Sequence, residues 1–114
     1  MGMFVTITRW TPETARAIRE RWMTVVNGKA PKAVLDGFAK VKVITQVTSL
    51  VNNCSVMVYE LKDKDIVEAN NVPQYLGDVC TMETFPVIAM EDWLKVTEAV
   101  PYEKIPKPEP WWKT

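Results

Sequence analysis

The chain has 114 residues, 47% of them hydrophobic, and its 14 Lys and Arg balance 14 Asp and Glu. A chain of this length needs one hydrophobic core, burying roughly 60 to 70% of the surface its unfolded form exposes. Zero net charge, with no basic run along any predicted element, excludes the electrostatic footprint of a nucleic-acid or anionic-membrane partner.

The start of the chain, Met1-Gly2-Met3-Phe4-Val5-Thr6, has neither a basic region nor a long apolar core. No apolar stretch approaches the roughly 18 residues of a membrane span. These features predict a soluble, cytoplasmic protein. The chain holds no histidine, which removes Ser-His-Asp and Cys-His nucleophilic centres, histidine-ligated haem and the two-His-one-carboxylate iron site. Cys54 and Cys80 are too few for a disulfide scaffold or a closed zinc site and read as buried thiols. No metal and no cofactor is expected.

From Met3 to Arg9 the residues alternate, Met3, Val5 and Ile7 against Phe4, Thr6 and Thr8, which predicts the first strand. Thr11-Pro12 reads as an N-cap followed by proline at the first helical position. Ala15, Ile18, Trp22, Val25 and Val26 then recur at helical spacing until Asn27-Gly28, with Glu13, Arg16, Arg19, Glu20 and Arg21 on a solvated side. Residues 29–39 read as a connector with a helical turn from Pro31 to Asp36 that Gly37 stops. A second strand alternates Val41, Val43, Thr45 and Val47 with Lys42, Ile44, Gln46 and Thr48, and turns at Asn52-Asn53. The third carries Cys54, Val56 and Val58 against Met57, Tyr59 and Leu61.

Asp63 caps a second helix with Ile66, Ala69, Pro73 and Leu76 inward, broken or kinked at Pro73. A fourth strand spans about Val79 to Ala89, and Pro86 places it at a sheet edge or bulges it there. Glu91 and Asp92 open a last short helix. From Pro101 the composition turns to proline interleaved with charge and ends in Trp111-Trp112-Lys113-Thr114, an extended tail expected to strap across its own subunit or a partner. The division is thus a domain over residues 1–100 and a Pro-rich tail over 101–114.

Two strand-helix-strand halves in sequence predict an α+β fold, a ferredoxin-like βαββαβ sandwich with a four-stranded antiparallel sheet and both helices on one face. The other face, expected to carry Phe4, Ile44, Met57 and Tyr59, would be too apolar for a monomer. Face-to-face pairing about a two-fold axis covers it and predicts a homodimer, a dimeric α+β barrel, or a higher assembly of such dimers. By strand parity Thr6, Thr8, Gln46 and Thr48, with Tyr59 beside them, point into the space between the two sheets.

On Phe4-Val5-Thr6-Ile7-Thr8-Arg9-Trp10, Thr11-Pro12-Glu13 and Thr81-Met82-Glu83-Thr84-Phe85-Pro86-Val87, the chain resembles the dimeric α+β barrel superfamily over roughly residues 3 to 97. That superfamily includes antibiotic-biosynthesis monooxygenases, haem-degrading monooxygenases and muconolactone isomerases, and the chain is most similar to a domain-of-unknown-function family within it. The resemblance implies a small hydrophobic or aromatic molecule between the sheets or, alternatively, a cofactor-independent monooxygenase-like enzyme acting on an aromatic or quinol substrate. No residue is assigned a catalytic role. The binding candidates are Thr6, Thr8, Trp10, Gln46, Thr48, Tyr59 and Glu83. Glu83 as a proton carrier and Cys80 as a reactive thiol are the weaker chemical alternatives.

Overall fold

The alternating residues of β1 (Gly2–Arg9) build the strand on which the sheet is assembled in the computed structural model, which describes residues 2–99. β3 (Cys54–Leu61) pairs along one side of it and β4 (Thr81–Val87) along the other. β2 (Lys42–Ser49) lies outside β3, so the antiparallel order is β2-β3-β1-β4. Helices α1 (Ala15–Val26) and α2 (Lys32–Ala39) join β1 to β2. A 3-10 turn (Asp63–Asp65), α3 (Ile66–Ala69) and α4 (Asn71–Leu76) join β3 to β4, and α5 (Met90–Thr97) follows the sheet. The Pro-rich tail, and with it the division at residue 100, lies outside the described residues.

Several elements depart from the sequence expectation for identifiable reasons. α1 starts at Ala15, because Thr11 and Thr14 exchange hydrogen bonds between their backbone N–H groups and hydroxyls (3.1 and 3.3 Å) and hold residues 11–14 in a turn. α2 runs through Gly37 instead of stopping there. The break expected at Pro73 falls at Asn70; Pro73 sits in the first turn of α4, where a missing N–H costs nothing. β2 shifts register between Val43 and Thr45, leaving Ile44 as the irregular residue, so the parity of the strand changes halfway along it. β4 is the edge strand anticipated from Pro86, but it is shorter, from Thr81 to Val87.

The register also reverses the two sheet faces. Phe4, Thr6 and Thr8 share a side with Ser55, Met57, Tyr59, Met82 and Thr84, and on this side α1 to α4 pack. Ile18, Val25, Val34, Val72 and Leu76 form the main buried cluster under those helices, with Trp22 edge-on to Phe38 at 5.3 Å. A second cluster joins Tyr59, Leu61 and Ala69, with Phe4 stacked on Tyr59 at 5.9 Å. Phe4, Met57 and Tyr59 are therefore under the helices and not on the uncovered face. That face instead carries Met3, Val5, Ile7, Val47, Val56, Val58, Phe85 and Val87, with Phe85 40% and Val47 60% exposed.

Two contacts hold the helical layer together. A Cβ on Gly37 would lie 2.3 Å from the backbone oxygen of Glu68, so α2 and α3 approach as closely as they do only because residue 37 has no side chain. The Arg21 guanidinium makes a two-pronged contact with the Asp78 carboxylate, donates to the Tyr75 carbonyl (2.6 Å) and lies 5.4 Å from the Tyr75 ring centre. The Tyr75 hydroxyl meets Thr24 Oγ1 at 2.8 Å, so α1 is bound to the end of α4 by charge, ring and hydroxyl together.

Gly37→Ala should destabilise the fold by about 3 kcal/mol, as overpacking against backbone requires. Gly28→Ala, where φ is +71° but no atom lies near, should cost about 1 kcal/mol. Urea denaturation of the two variants orders the effects.

The hydrogen bond from Arg21 holds the Asp78 carboxyl below its ordinary 3.8. A carboxylate so depressed stabilises the folded state fully above its unfolded value and loses that contribution as pH falls through the lower folded one. Thermal melts should therefore show Asp78→Asn less stable than the parent at neutral pH, with the gap closing as the pH falls below 3.8.

Candidate functional site

β1 places two threonines, with small β-branched side chains, at the centre of the face that the helices cover. Thr6 is 4% exposed and Thr8 9%. Neither reaches far enough to fill the layer above, and among the described residues no large side chain is completely buried. The result is a hollow between sheet and helices, in two lobes with Met57, Val72 and Met82 in the walls of both.

The first lobe, about 180 Å³, is roofed by Phe38, Ile66, Ala69, Asn70 and Pro73 and floored by Phe4, Thr6, Tyr59 and Thr84. On that floor the Thr6 hydroxyl lies 2.9 Å from the Tyr59 hydroxyl and 2.8 Å from that of Thr84. Three hydroxyls carry three protons and the two bonds use two, so one donor of the set is left to a molecule in the lobe. The second lobe, about 240 Å³, lies between Trp10 and Trp22, with Thr8, Ser55, Gln46 and Thr48 from the sheet and Ala15, Ile18 and Arg19 from α1. Its opening is on the side of β2, whose residues are exposed along most of their length. Each lobe contains one titratable residue, Tyr59 in the first and Arg19 in the second.

The structure gathers six of the seven sequence candidates into this hollow. Tyr59 and Thr6 line the first lobe, and Thr8, Trp10, Gln46 and Thr48 the second. They face α1 to α4, however, and not the space where a second sheet would pack, so the parity assignment is corrected by the register. Glu83 lies on the opposite face beside Ile7, exposed and bonded to Arg9 at 3.2 Å, away from both lobes. Asn52 occupies the exposed turn between β2 and β3, its N–H on the Ser49 hydroxyl at 3.2 Å. Cys80 donates its thiol to the Leu76 carbonyl at 3.2 Å, and burial pushes its pKa up. That is the opposite of what a reactive thiolate needs.

Met57, Met82 and Arg19 were missed as site residues. Arg19 is exposed, as its place on the solvated side of the helix predicts, and it borders the second lobe because it stands four residues after Ala15 and three before Trp22. Among the described residues no group of three His, Cys, Asp or Glu side chains gathers where a metal ion would be held, and no helix is long and apolar enough to cross a membrane.

An antiparallel four-stranded sheet, ordered β2-β3-β1-β4, with helices packed on it defines an α+β domain. The chain belongs to the family described as Domain of unknown function (DUF3303), whose model matches residues 3–101. Among curated proteins none matches the chain.

Thr6 is the middle of the hydroxyl set, so Thr6→Val keeps the shape but strands both partners and should cost about 1 to 2 kcal/mol. Thr84→Val, at the exposed rim, should be near neutral, and Thr6→Val with Tyr59→Phe should cost less than the sum of the two. Denaturant titration of the four variants measures each.

Proposed function

We propose that the protein is a small-molecule binding domain that holds a hydrophobic or aromatic compound in the hollow between its sheet and its helices. The observation that carries this reading is the two-lobed space itself. It has apolar walls and few polar groups, and its lobes of about 180 and 240 Å³ approach the lower end of small-ligand sites, roughly 300 Å³. The sequence predicts a ligand between two sheets; with Thr6, Thr8 and Tyr59 buried under the helices, and Gln46 and Thr48 exposed on the same sheet side, the proposed site moves inside the subunit.

In the same reading the domain is ferredoxin-like and pairs through its uncovered face into a homodimer, a dimeric α+β barrel. Support comes from the row of Ile7, Val47, Val56, Val58 and Phe85, part-buried to exposed around a buried Val5, an apolar surface of a kind monomers seldom leave to water. One self-complementary patch about a two-fold axis covers it.

A cofactor-independent oxygenase acting on an aromatic or quinol substrate is the second reading. It is favoured by the spare hydroxyl proton of the Tyr59, Thr6 and Thr84 set, placed where a phenolic substrate would lie. Binding comes first because the first lobe offers one titratable group and it is a phenol.

Tryptophan quenching by 1-naphthol, a neutral aromatic probe, should saturate with the parent protein and fail with Met57→Trp, which fills the junction of the lobes while circular dichroism stays unchanged. Equal binding to both proteins sinks the pocket. Light scattering of the full chain at micromolar concentration should give twice the monomer mass, and Val58→Lys should give the monomer; a monomeric parent sinks the pairing.

A further inference from the structure

We propose that the compound taken by the second lobe is a carboxylic acid with an aromatic or aliphatic body. Its carboxylate sits at the opening beside Arg19, and its body runs inward between Trp10 and Trp22 toward Met57 and Met82. This rests on the binding reading above and specifies its ligand class.

The argument begins with where Arg19 stands. Residues 15, 18, 19 and 22 form one stripe of α1, and all four line the lobe. Arg19 is the exposed member of that stripe, a cation at its solvated edge. The neighbouring arginines are committed elsewhere: Arg16 to Glu20 at 3.2 Å, Arg21 to Asp78, and Arg9 to Glu83. Arg19 has no acidic partner among the described residues, and no Asp or Glu contributes to either lobe. Arg19 is exposed at the rim of the lobe with no counter-charge in the lining, and an anion seated at the opening supplies a partner there.

The rest of the lining narrows the anion. Opposite Arg19 the sheet offers the hydroxyls of Thr8, Ser55 and Thr48 and the amide of Gln46, neutral donors suited to the second oxygen of a singly charged head group. One cation among neutral donors matches one negative charge; a phosphate dianion calls for more positive charge than the lobe holds. The inner walls are indole and thioether, so an apolar body packs behind its head group.

Calorimetric titration at pH 7 with acid and primary-amide pairs of equal shape, benzoic, cinnamic, 2-naphthoic and octanoic, separates charge recognition from apolar burial. In at least one pair the acid should bind about tenfold more tightly than the amide, the worth of a charge-assisted pair. Arg19→Gln should bring the acid to the level of its amide and leave the amide within about twofold, since apolar burial is untouched. Arg16→Gln, on the solvated side, should keep the preference. Equal affinity of acids and amides for the parent overturns the proposal and leaves the binding reading standing. A preference that survives Arg19→Gln overturns the assignment to Arg19. Binding of neither member of any pair removes both the proposal and the pocket it rests on.

Discussion

The structure turns on a hydroxyl buried at the middle of the sheet. Thr6 lies on the central strand, under the helices, where an unpaired polar group is costly. Its bonds to Tyr59 and Thr84 satisfy it and at the same time join the side chains of β3, β1 and β4 across their shared face. Because threonine is short, that satisfaction leaves the volume above it unfilled. A leucine or phenylalanine in its place would close the layer and add apolar burial of about 2 kcal/mol, and with it would go the hollow. The same residue thus sets the polarity of the cavity floor and the existence of the cavity.

The roof has to hold its shape without resting fully on that floor. It does so through contacts among the helices: α2 against α3 at Gly37, and α1 against α4 through Arg21, Tyr75, Thr24 and Asp78. These link the roof laterally, so the space beneath need not be filled for the layer to stay ordered. The open flank over β2 follows from the same economy, since α1 to α4 cluster over β1, β3 and the loop into β4 and leave β2 to solvent.

Much of this was legible in the residues. Alternation in Met3 to Arg9 and Cys54 to Leu61 marked both central strands, and Pro86 marked β4 as an edge because a proline there needs no second ladder. The choice of covered face was not legible. Val5, Ile7, Val56 and Val58 are as apolar as Phe4, Met57 and Tyr59, and hydrophobic periodicity cannot rank two faces that both exclude water. The shift at Ile44 then changed the parity of β2 in mid-strand, a backbone event with no side-chain signature. The cavity candidates were found as a group despite this, because Thr6, Thr8, Gln46, Thr48 and Tyr59 share one side whichever layer faces it. Arg19 is the solvated charge its helix position predicts, and only its spacing to Ala15 and Trp22 shows that it also borders the lobe.

The margins of the sheet carry a consequence of their own. On one outer strand Pro86 removes a donor from the rim, and on the other the irregularity at Ile44 twists the backbone away from straight pairing beside Lys42. A neighbouring molecule therefore finds neither flank able to accept a fifth ribbon in register, and lateral growth into fibrils is discouraged at both ends.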